Sequence, residues 1–281
     1  MDGHEIGRHH IILTMMWCLL LYGRMDAQHL PLPTRVSGAM TGTSFSLQLD
    51  TLDRETRDSL IQIEILKGNT PSFIRTLVPV TVQKQLGGRN HTATFFAAPD
   101  YCAVGSDDDF FYTPLSPLTA QRLADSLECC LPTTTMVDAI YESARVKLSP
   151  APIAPTAAMT TIPVFRQHNA FVRSQLDSQS AVYPKGSLTA GHKKDVVISK
   201  KCPPGKVAIY GWHRLDGTPI QPLYTGHTEK WVDYSHGIRF ICRTMIVDGL
   251  PTTVEHVLAD SLLCEIISAE GVIPHPRYGE P

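Results

Sequence analysis

The chain contains no C-x-x-C pair, which excludes a structural zinc knuckle. It has no extended run of Lys or Arg, and its formal net charge is −2, so nucleic acid is not an expected partner. The longest apolar run, Ile11 to Tyr22, is too short to cross a ~30 Å hydrocarbon core as a helix, and no stable membrane span is expected. Seven cysteines in 281 residues are too sparse for a disulfide-dense scaffold. No internal repeat is visible. What is present is 43% hydrophobic residues, enough for a sizeable core, and 21 prolines with 19 glycines, which imply many turns and short strands.

The N-terminus has the form of an export signal. Arg8 precedes the apolar run, and Gly23, Met25 and Ala27 frame a small-residue cleavage site. Residues 1–27 are therefore read as a signal peptide, and residues 28–281 as a single domain in a secreted or periplasmic protein. Cleavage would leave Cys102, Cys129, Cys130, Cys202, Cys242 and Cys264, of which the neighbours Cys129 and Cys130 are poorly placed to bridge each other.

Helical periodicity is expected at Leu52 to Lys67, Leu118 to Cys129, Thr133 to Val146 and Val164 to Leu176. Val78 to Val82 and Thr92 to Ala97 read as strands about the turn Gly87-Gly88. Residues 149–163 are rich in Pro, Ala and Thr and read as an internal linker or a surface strap. From Ser187 onward the pattern is β, closing in two short helices. The fold class expected is α+β, a helical N-terminal half packed on a largely antiparallel C-terminal sheet.

Chemistry-bearing residues concentrate between His192 and His236, which hold four of the twelve histidines and two of the three tryptophans. Cys130, just before Pro132 at an expected helix start, is a candidate nucleophile, because free N–H groups there favour a thiolate. His192 is the candidate general base and His213 its orienter. That order resembles the NlpC-type, papain-like cysteine hydrolases, although Cys129 and Leu131 flank Cys130 where the family has Asp and Ser or Gly. The resemblance implies a Cys/His-based hydrolase acting on an amide or related acyl bond of a cell-envelope or extracellular polymer. Ser235-His236-Gly237-Ile238-Arg239 is similar to a segment of L,D-transpeptidases that lacks here the family's cysteine; it implies His236 as a base and Arg239 as a carboxylate clamp. Lys193 and Lys194 are candidate anchors for an anionic substrate, and Trp212 and Tyr234 for stacking on a sugar or peptide.

A second reading makes His192, His213 and His236 ligands of a catalytic zinc, with Asp195 or Asp233 nearby; no pair has chelating spacing. A third is a non-catalytic glycan- or peptide-binding protein. Asp107 to Asp109 are an acidic turn lacking a calcium-loop pattern. The strings Y-C-A-V-G-S-D-D-D-F, L-P-T-T-T-M-V-D, A-G-H-K-K-D-V-V and D-Y-S-H-G-I-R, in that order, also resemble exported bacterial proteins with no assigned activity. That resemblance implies one folded unit and export only.

Overall fold

Local capping sets where the helices begin. The computed structural model describes residues 28–279, so the expected signal segment lies outside the described residues. Helix α1 (Gly42–Gln48) starts at Thr41, whose side chain accepts the Ser44 N–H. Asp53 does the same for Thr56 at the head of α2 (Arg54–Leu66), and Ile61 and Ile65 bury one stripe of it. Strands β1 (Val78–Leu86) and β2 (Arg89–Ala97) form a nine-residue antiparallel hairpin. A short ribbon, β3 (Ala103–Gly105) with β4 (Phe110–Tyr112), follows.

Helix α3 (Pro117–Ser126) is capped by Ser116 and leads into β5 (Cys129–Cys130). Helix α4 (Thr134–Ser143) is capped by Thr133, whose hydroxyl also donates to the Ile267 carbonyl. Burial of Met136 and Ile140 on α4 contributes roughly 1.5–3 kcal/mol each. After β6 (Val146–Lys147), the stretch 149–161 crosses the surface to α5 (Ile162–Gln179). It is fastened as a strap: the Tyr234 hydroxyl accepts the Ile153 N–H at 2.7 Å, and the Tyr234 N–H donates to the Met159 carbonyl at 3.1 Å.

The remaining strands are β7 (Thr189–Ala190), β8 (Lys194–Val196), β9 (Ile209–His213), β10 (Pro219–Tyr224), β11 (His236–Gly237), β12 (Ile241–Cys242), β13 (Thr244–Val247) and β14 (Leu250–Thr253). Helices α6 (Val254–Ala259) and α7 (Cys264–Ile267) end the order. One sheet runs β14-β13-β2-β12-β5 with β1 on the flank of β2, and a second runs β10-β9-β8-β11. Pairing is antiparallel except for β11 with β8 and β6 with β7. The fold is α+β. Its larger sheet joins the N-terminal hairpin to C-terminal strands, and one main buried cluster runs from Leu30 to Ile273.

Candidate functional site

The structure distributes the expected site residues over three environments. Cys130 lies in strand β5 opposite Ile241, upstream of the Thr133 cap, and not on a helix terminus. Thr133 makes the better cap, and burial pushes the Cys130 thiol well up. Its charged surroundings are Glu255 and Arg243, whereas His192 meets Asp100, Arg239 and Lys193. Different charged groups thus act on the expected nucleophile and the expected base.

His192 belongs to a polar network sealed between β3–β4, β8 and β11. Its Nε2 lies 3.1 Å from Asp100 Oδ1, and its ring packs edge-on against Tyr101. Asp100 also accepts the Tyr112 hydroxyl at 2.6 Å. Burial opposes ionisation of Asp100, but His192, Arg239 and Tyr112 outweigh it and hold the carboxyl below its usual range. Tyr101 donates to Asp195 at 2.7 Å, and burial pushes Asp195 up to about 6.

Arg239 cannot act as a substrate clamp. Its Nη1 and Nη2 donate to the carbonyls of Ala98 and Thr189, both at 2.7 Å, and the guanidinium lies over the Tyr101 ring at 4.2 Å. Lys193 is also interior: Nζ donates to the Tyr234 carbonyl at 2.6 Å and sits 3.3 Å from His168 Nδ1. Burial brings the Lys193 ammonium down to about 7 and His168 to about 2. Trp212 is buried, Tyr234 is occupied by the strap, and Lys194 lies 5.0 Å over the Trp212 ring. These side chains hold the interior together, so the expected substrate roles of Lys193, Trp212, Tyr234 and Arg239 are not met.

His236 is buried with neither ring nitrogen hydrogen-bonded, 3.8 Å from Asp233, and burial brings its pKa down to about 4. Parallel pairing of β11 with β8 sets His236 opposite Lys194. Gly237, next along, is required there: a Cβ would stand 2.7 Å from both Lys193 Cβ and the Tyr101 ring. The three imidazoles expected to share a metal go to three separate carboxylates, Asp100, Asp138 and Asp233. Among the described residues no group of three His, Cys, Asp or Glu is placed to hold a metal ion. The expectation that the C-terminal sheet gathers its histidines into one pocket is thus overturned, because short strands and turns aim them at different elements.

His213 alone of the three opens on a cleft. The segment Gly211-Trp212-His213 ends β9 with φ +102° at Gly211 and +56° at Trp212. A bulky residue in the left-handed region is strained, and such strain gathers at functional positions. The bend carries the imidazole to α4, where Nε2 lies 2.9 Å from Asp138 Oδ1. The Tyr210 hydroxyl donates to the same oxygen, also at 2.9 Å. Tyr141 stacks on the imidazole with centroids 4.5 Å apart, and Lys147 Nζ lies 4.6 Å from the centroid of the Tyr141 ring. Around the pair opens a cleft of about 540 Å³, walled also by Glu142 and Asp216.

With Nε2–H and Tyr210 O–H both donating to Oδ1, Asp138 is held as an oriented carboxylate while its side chain stays 45% exposed. A carboxyl group oriented in this way on a cleft wall has the geometry of a general base. Asp138, Tyr141 and Tyr210 escaped the sequence reading. The available signals were Asp138 and Glu142 one turn apart on α4 and a Gly directly before Trp-His in a strand.

No protein family, curated protein or solved structure matches the chain.

Proposed function

We propose that the protein is an exported hydrolase that works by acid–base catalysis in the cleft between α4 and β9. Asp138 is the base that activates water toward an amide or related acyl bond, and His213 and Tyr210 are the residues that position it. The single observation carrying this reading is the shared Oδ1 acceptor of Asp138, with two donors at 2.9 Å on the wall of an open cleft. The cleft volume suits a segment of a polymer, and Lys147, Glu142 and Asp216 offer both charge signs to a peptide-bearing substrate. A cell-envelope or extracellular polymer with short peptides fits that lining.

The test is release of free amino groups from purified peptidoglycan by the wild-type protein and Asp138→Asn. The expected result is turnover that falls by about 10²–10⁴-fold in the variant, with unchanged circular dichroism. Equal turnover in the two proteins, or binding to the polymer without release by either, overturns the reading.

A further inference from the structure

Six cysteines lie among the described residues, and the chain register sets two of them face to face. In the antiparallel pair β5–β12, Cys242 is the direct partner of Cys129, and Ile241 that of Cys130. The Arg243 N–H donates to the Glu128 carbonyl at 3.1 Å, immediately outside the cysteine pair. Antiparallel ladders alternate, so that bond places Cys129 and Cys242 at a non-hydrogen-bonded position, where paired Cα atoms lie about 4.5 Å apart. A disulfide spans Cα separations of about 4.4–6.8 Å. Side chains of adjacent strand residues point to opposite faces, which turns Cys130 away from Cys242. Arg243 Nε also donates to the Cys129 carbonyl at 3.2 Å and its Nη2 to Asp125, so the backbone at the pair is fixed.

We infer that Cys129 and Cys242 are a dithiol site that closes to a cross-strand disulfide in the presence of a small-molecule disulfide oxidant. Cys242 is half-buried and Cys129 fully buried, so the oxidant meets Cys242 first. Burial raises both thiols, so each gives its proton to solvent base as it attacks; the Cys242 sulfur attacks one sulfur of the oxidant, forming a mixed disulfide and expelling one thiolate. The Cys129 sulfur then attacks the Cys242 sulfur and expels the second. The two protein thiols lose two electrons and two protons, and the oxidant is reduced to two thiols. The bond would join the edge strand β5 to its neighbour β12 and enclose the whole second sheet and the Asp138 cleft in one covalent loop.

The experiment incubates the full chain with oxidised glutathione, alkylates free thiols in denaturant, and maps peptides by mass spectrometry without reduction. The expected product is a peptide pair linked through Cys129 and Cys242 in the wild type and in Cys130→Ala, and absent from Cys242→Ser. Closing so long a loop is expected to raise the thermal midpoint by about 10 °C over the reduced protein. Both thiols recovered alkylated after oxidation, or a link made through Cys130, overturns the inference.

Discussion

A Cβ added to Gly211 would stand 3.3 Å from Cε1 of His213, so the strand carries no side chain beside the imidazole it delivers. Val137 Cγ1 lies at 3.2 Å on the same side, and the backbone there is left-handed. Gly211→Ala is therefore expected to cost on the order of 1–3 kcal/mol, measured by urea denaturation. If the cleft is catalytic, turnover falls by about tenfold or more as His213 is displaced. Unchanged stability and turnover would show that the bend tolerates a methyl group and does not position the ring.

Arg239→Met removes a cation that serves two carbonyls and faces Asp195 and Tyr101 in the interior. Breaking one side of a buried charge pair costs about 3–5 kcal/mol. The variant is expected to lose that much in a denaturant titration. A loss below about 1 kcal/mol would contradict the structural role assigned to the guanidinium.

His236 supplies a pH dependence with a definite sign. Its folded-state pKa is about 4, below the ordinary 6.5, so between these values the unfolded chain binds more protons. Stability attributable to this residue is present above pH 6.5 and is lost as pH falls through the window to 4. Asp195, raised to about 6, has the opposite sign: its contribution is present below 3.8 and is lost as pH rises through 6. The comparison that isolates His236 is wild type against His236→Gln. The variant's stability profile from pH 6.5 to 4 should be shallower, by up to about 3 kcal/mol across the window. Parallel profiles would contradict a buried neutral imidazole.

Export is checked on the mature protein. Its N-terminal sequence, read from protein recovered outside the cytoplasm, should begin near residue 28. Recovery of the chain inside the cell with Met1 intact would refute it.

The helices were legible because their caps and stripes are local: Asp53 before α2 and Met136 with Ile140 on α4 act within a few residues. The β1–β2 hairpin was legible for the same reason. The site was not, because its parts meet only through tertiary pairing. His213 finds Asp138 across 75 residues, and His192 finds Asp100 on the loop that leads into β3. The helix expected to run into Cys129 stops at Ser126, since the backbone of Cys129 and Cys130 pairs with β12 instead. That pairing removed the helix-terminus argument for a reactive Cys130.

The Arg239 guanidinium binds carbonyls 141 and 50 residues away along the chain. Its charge is compensated only when three remote segments have arrived together, and until then each segment keeps its ions in water. Ordering of this centre is therefore expected late along the folding route, after much loop-closure entropy has been lost. Interactions that form after the transition state act chiefly on the rate of unfolding. The interior ions should thus slow the native chain's opening more than they speed its assembly.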